Sequence, residues 1–124
     1  RKMIKKKISG NIINLSSQLG HVGAYNRSIY CITKFGIEGL TKSIALDLAK
    51  HNIRVNSISP TKVITHKNEE KIYKKRINLI KNKIPIKKFP TAKEIASVIF
   101  FVCENSETMT GSNLRVDGGW TAGR

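Results

Sequence analysis

A tyrosine and a lysine stand four positions apart in "SIYCITKFGIEGLTKS", residues 28–43, a stretch whose apolar residues recur at helical spacing. Side chains at i and i+4 share a helix face and lie within reach of each other, so Tyr30 and Lys34 form a pair. A lysine ammonium beside a phenol favours the phenolate. A tyrosine so placed can act as general acid or base near neutral pH. The run "NIINLSS" ends in two further candidates, Ser16 and Ser17. A hydroxyl there could donate to the same substrate oxygen and stabilise charge as it develops. Taken alone the pair is weak evidence, because tyrosine and lysine at this spacing occur by chance on many exposed helices.

The elements that must position these groups alternate strand and helix. "NIINLSS" (11–17), a β-branched run after Gly10, predicts a buried strand, and "QLGHVGAYN" (18–26), with two glycines, reads as a loop. From about Arg27 to Lys50, Ile29, Ile32, Phe35, Ile37, Leu40, Ile44, Leu46 and Leu48 predict a long helix, with Ser28 near its start and His51-Asn52 at its stop. Gly36 and Gly39 inside it cost about 1 kcal/mol each relative to alanine, so they predict close packing against a strand or another helix. "IRVNSIS" (53–59), closed by Pro60, is a second strand. In "FPTAKEIASVIFFVCEN" (89–105) Thr91 can cap a helix and Glu94, three residues on, completes a capping box. "GSNLRVDGG" (111–119) supplies a third strand. The order β-α-β-(α)-α-β implies an α/β chain with right-handed crossovers and a parallel sheet covered on both faces. Such sheets bind ligands beyond the carboxyl ends of their strands. That puts "SSQ", "SPTKVIT" and the start of the long helix on one rim.

Composition narrows the function classes. The 124 residues are 40% hydrophobic, enough for one domain with a core, and neither an internal repeat nor a domain-scale linker interrupts them. No apolar run approaches the roughly 18 residues of a membrane span. "RKMIKKKISG" also lacks the apolar stretch and small-residue cleavage site of a signal peptide, which points to the cytoplasm. Cys31 and Cys103 have no C-x-x-C spacing and no nearby histidine pair, so reduced thiols are expected, with no zinc or other metal site and no disulfide framework. The formal charge of +15 admits a polyanion partner. Against it, 17 of the basic residues are lysine and 6 arginine, whereas bidentate phosphate recognition favours arginine. The lysines run with many Ile and Asn residues, as a coding bias would produce. A solvated surface, with no specific nucleic acid and no membrane partner, is the favoured reading. The densest run, "KNEEKIYKKRINLIKNKIPIKK" (67–88), interleaves Ile72, Ile77, Leu79 and Ile80, as an amphipathic surface helix or lid would.

Four ordered motifs carry a family resemblance. Ser17 lies thirteen positions before Tyr30; Tyr30 to Lys34 reads Y-x-x-x-K; "VNSISP" (55–60) reads V-N-x-x-x-P; and "DGG" (117–119) closes the chain's last strand. Over nearly its whole length the chain resembles the C-terminal half of a short-chain dehydrogenase/reductase, a doubly wound Rossmann-like fold. The resemblance implies an NAD(P)-dependent oxidoreductase. Ser17 would bond the substrate oxygen, Tyr30 would exchange the proton, and Lys34 would support the tyrosine and bind the nicotinamide ribose. Pro60 and Val63, with the Thr65 hydroxyl, match the positions that hold the nicotinamide ring and its carboxamide. The segment from about 66 to 88 corresponds to the substrate lid. Pro60-Thr61 stands where most members have Pro-Gly and, with "VDGGWTAG", is similar to sugar and polyol reductases of the xylulose reductase and threitol dehydrogenase type. A 3-oxoacyl-[acyl-carrier-protein] reductase is the alternative. Those polyol enzymes often carry a histidine three residues before the tyrosine, where this chain has Arg27.

The family's T-G-x-x-x-G-x-G turn, its N-N-A-G segment and its catalytic asparagine do not occur in the sequence, which starts at Arg1. A fragment, or the product of a split or degraded gene, is therefore expected, with NAD or NADP chosen by residues outside it. The complete protein would be a homo-oligomer, dimer or tetramer, acting on a small carbonyl or alcohol substrate. A reading of another class is a non-catalytic remnant or interaction module that keeps the family's dimerising long helix. The isolated chain is expected to be poorly stable, to self-associate and to bind no nicotinamide cofactor, because a strand edge and an apolar helix face would be bare.

Overall fold

In the computed structural model, which describes residues 1–64 and 74–123, the run Ile53–Pro60 is the central strand, β2. Seven of its eight residues are buried, a burial that only a strand flanked on both edges and covered on both faces achieves. Strands β1 (Gly10–Leu15) and β3 (Asn113–Val116) flank it in the order β1-β2-β3. Both pairings are parallel, with Ile12 opposite Val55 and Ile58 opposite Leu114.

Alternation along β2 decides which helix covers which face. Ser57 and Ser59 reach Glu38 of helix α2 (Ser28–Ala49), whereas Arg54 reaches the end of a helix on the opposite face, Ala92–Glu104. Side chains two apart share a face, so the two helices sandwich the sheet as the strand and helix order implied. The short helix α1 (Lys2–Lys5) precedes β1, α3 (Lys74–Lys83) lies between the two long helices in sequence, and Ala92–Glu104 is α4. The core between the layers is built on Ala45, Ile53, Val55, Ile58 and Val102.

Each end of α4 is closed by a different device. At the start Thr91 Oγ1 accepts from the Glu94 amide at 3.1 Å while Glu94 Oε2 accepts from the Thr91 amide at 2.7 Å. This is the capping box that the T-x-x-E spacing predicted. The backbone bond from Thr91, then its side-chain bond, hold the Glu94 carboxyl below its ordinary range. At the end, the Cys103 carbonyl has no partner inside the helix. It accepts instead from Arg54 at 3.0 Å and Asn11 at 3.2 Å. A guanidinium at a helix C-terminus also suits the helix dipole.

Helix α2 follows its expected span within a residue at each end. Its N-cap is Arg27, which makes no side-chain capping bond, and Ser28 lies inside the helix. Glu38, Thr41 and Ala45 are buried toward the sheet, while Ile29, Ile32, Leu40 and Leu46 are exposed on the outer side. A Cβ built at Gly36 or Gly39 meets nothing within 4 Å, so the expected close packing at these glycines is not found among the described residues. The segment expected as a loop (18–26) contains a 3-10 turn, Gln18–Gly20. Of the expected lid, 66–73 lies outside the described residues, and 74–83 forms α3, which buries Ile77 and exposes Leu79. Both cysteines are unpaired and half-buried. No helix among the described residues is long and apolar enough to cross a membrane.

Candidate active site

Strands β1 and β2 end on the same rim, and the 3-10 turn after β1 carries the chain back against the first turns of α2. Gly20 permits that approach. A Cβ there would lie 2.8 Å from Ser16 Oγ and 3.0 Å from the Lys34 carbonyl oxygen, so a larger residue would push the turn away from the helix. Buried Ser16 fastens the same junction, its hydroxyl donating to the Lys34 carbonyl at 3.3 Å.

The Lys34 side chain reaches in the other direction. Its Nζ donates to the carbonyl of Leu15, the last residue of β1, at 3.0 Å and stands 5.6 Å from the centroid of the Tyr30 ring. An ammonium over a phenol face is attracted to the ring. Tyr30 is 45% exposed, so a ligand can reach it. The tyrosine and lysine singled out in the sequence are thus brought together at the carboxyl end of β1.

Ser17 begins the 3-10 turn and is buried. Its hydroxyl accepts from the Leu19 amide at 3.2 Å and donates to Gln18 Oε1 at 3.1 Å. Its proton is therefore directed within the turn, and a substrate oxygen would have to replace Gln18 as acceptor. Pro60 closes β2 opposite Val116, and Val63 lies half-buried beyond it. Thr65 lies outside the described residues. Between them the Thr61 amide donates to the Val116 carbonyl at 3.3 Å, while its buried Oγ1 has no hydrogen-bond partner among the described residues. A buried hydroxyl left unpaired is costly, and a ligand at the rim could satisfy it.

Two groups of residues have structural roles that the sequence did not show. Glu38 is buried, its Oε2 accepting from Ser57 at 2.8 Å and its Oε1 from Ser59 at 3.1 Å and Asn113 at 3.2 Å. His21 Nε2 lies 3.1 Å from Ser59 Oγ and 3.6 Å from Glu38 Oε1. This carboxylate clamps α2, β2, β3 and the segment after β1 together. The available signal was the pair of hydroxyls at 57 and 59, which face one side of a buried strand and require a partner there. The second group is the "DGG" turn. Asp117 accepts from the Thr121 amide at 3.0 Å, the Thr121 hydroxyl at 2.6 Å and the Gly119 amide at 2.9 Å. Burial pushes its carboxyl up, but the bonds from Thr121 and Gly119 outweigh this and hold it below the ordinary range. Gly118 takes a left-handed φ of 64°, and a Cβ there would meet Ile84 at 2.5 Å. The turn therefore packs against the residues that follow α3.

At Arg27 the rim opens into a cleft of about 660 Å³, bounded by the segment after β1, the segment after β2, α3 and Trp120. That volume is ordinary for a small-molecule site.

A tyrosine–lysine pair at the carboxyl rim of a parallel sheet, with helices on both faces, is an arrangement of open α/β proteins, a class whose ligand sites lie at strand ends. Residues 1–121 match the family model described as enoyl-(acyl carrier protein) reductase. The chain is 42% identical over 119 residues to trans-4-hydroxycyclohexanecarboxylate dehydrogenase of Sinomonas cyclohexanicum, covering 95% of this chain and 44% of that protein. It is 39% identical over 124 residues to L-xylulose reductase of Mus musculus, covering 97% of this chain and 50% of that protein. It superposes on 4-hydroxyisoleucine dehydrogenase complexed with NADH with a TM-score of 0.86 at 34% identity, over 99% of this chain and 51% of that one. The chain belongs to the short-chain dehydrogenase/reductase family of oxidoreductases. It spans about half the length of the curated relatives it matches.

Proposed function

We propose that this chain carries the proton-transfer centre of an NAD(P)-dependent oxidoreductase that interconverts an alcohol and a carbonyl on sugar or polyol substrates. The observation that carries this reading is the Lys34 ammonium, fixed on the Leu15 carbonyl at 3.0 Å and held 5.6 Å from the exposed Tyr30 ring. In the oxidative direction Tyr30, as phenolate, takes the proton of the substrate hydroxyl; in the reductive direction the phenol returns it to the carbonyl oxygen. Lys34 keeps a positive charge beside the phenolate. Ser17 donates to the substrate oxygen in place of Gln18 and so holds that oxygen toward Tyr30.

A bound nicotinamide supplies or accepts the hydride. The residues present fit its nicotinamide end. Lys34 has three ammonium donors, one of them directed at Leu15, which suits it to ribose hydroxyls. Pro60 and Val63 are the described residues that would border the ring, beside a Thr61 hydroxyl that has no partner among the described residues. The likeness to L-xylulose reductase supports the sugar and polyol class. The exposed strip Ile29, Ile32, Leu40 and Leu46 on α2 supports a homo-oligomer. The unpaired thiols support a reducing compartment such as the cytoplasm.

The test is turnover of a polyol panel by the complete protein with NAD⁺ or NADP⁺, followed by absorbance of the reduced nicotinamide. Lys34→Ala is expected to weaken both kcat and cofactor affinity by about tenfold or more. A Lys34→Ala variant with both values unchanged overturns the assignment.

A further inference from the structure

The cleft that Arg27 shares with the groove of Tyr30 carries a charge that a neutral polyol does not call for. Its lining includes Arg27, Arg76 and Lys83, and no aspartate or glutamate among the described residues. Arg76 and Lys83 stand two helical turns apart and so share the face of α3 that borders the cleft. Leu79 and Ile80 line the wall between them. Arg27 lies three positions before Tyr30 and borders both this cleft and the groove that holds Tyr30 and Thr33. It therefore links the proton-transfer group to the cations, and its side chain makes no capping bond to α2.

Cations gathered around one concavity repel each other, and a bound anion relieves that repulsion. A cleft lined with one sign of charge also concentrates ligands of the opposite sign. The arginine fork matches the two oxygens of a carboxylate or phosphate. The apolar wall leaves room for a carbon chain.

We propose that the substrate is an anionic polyol, a hydroxyl-bearing carbon chain ending in a carboxylate or phosphate. Arg27, with Arg76 and Lys83, holds the anion while the reacting hydroxyl meets Tyr30. The second half of this statement rests on the oxidoreductase reading; anion binding does not.

Calorimetric titration of the complete protein with gluconate, glucitol and glucitol 6-phosphate is the test. At least one of the two anions is expected to bind about tenfold more tightly than glucitol, and the arm that does so identifies carboxylate or phosphate. Arg27→Gln combined with Arg76→Gln is expected to cut the preference about tenfold, whereas Arg27→Lys, which keeps the charge, retains most of it. Circular dichroism checks that each variant is folded. Equal binding of all three compounds, binding of neither anion, or a preference unchanged in the Gln variants overturns the proposal. Turnover of the same compounds is read separately. Anion binding that depends on Arg27 without turnover on either cofactor would sink the oxidoreductase reading and leave the anionic cleft standing.

Discussion

The first two turns of α2 and the two that follow are built in opposite ways. Tyr30 is 45% exposed and Lys34 holds to the sheet through one carbonyl, whereas Glu38 and Thr41 are buried and bonded on several sides. Tyr30 and Lys34 are left with few internal partners; Glu38 and Thr41, which fasten the helix to the sheet, are saturated. The two stretches should therefore respond differently to substitution, one in turnover and the other in stability.

The widest separation is expected at Tyr30. Tyr30→Phe should lower kcat of the complete protein by about 10²–10⁴-fold, while its unfolding free energy in urea moves by no more than about 0.5 kcal/mol. Near-normal turnover, or a stability loss matching that of a clamp residue, would erase the contrast. Glu38→Ala should do the reverse. Removing the carboxylate leaves Ser57, Ser59 and Asn113 without their shared acceptor, and the expected cost is about 2–4 kcal/mol by urea denaturation. A cost under about 1 kcal/mol would mean that the clamp is slack.

A smaller effect sharpens the comparison from a third place, the turn at Asp117. The folded carboxyl lies below its ordinary value, with burial opposed and outweighed by the bonds from Thr121 and Gly119. Its contribution is present in full above the unfolded value of about 3.9 and is lost as pH falls through the lower folded value. Melting temperatures of the parent and Asp117→Asn should differ at neutral pH, by less than the Glu38→Ala shift, and converge in acid. A gap that persists unchanged at low pH would assign Asp117 a role other than this one.

The features legible in the sequence are those that local spacing encodes. The α4 capping box is set by two residues three apart, the central strand by a β-branched run, and the Tyr30–Lys34 pair by one helical turn. The Glu38 clamp joins residues 19, 21 and 75 positions apart, so its partners are known only once the sheet has assembled. Ser17 shows a different limit. The residue type gave a hydroxyl at the rim, but the bond to Gln18 depends on which neighbour the side chain turns toward. Gly36 and Gly39 mark the converse case, where residues suited to close contact face open space among the described residues.

Asn113 donates to Ser57, Ser59 and Glu38 at once, from a strand 75 residues beyond the carboxylate. A ribosome delivers α2 and β2 well before it delivers β3. Until Asn113 emerges, the carboxylate can be shared only by the two serines and its neighbouring histidine, and one flank of β2 has no pairing strand. The order of synthesis thus postpones closure of the buried centre until β3 has been made, after the entropic cost of a long loop has been met.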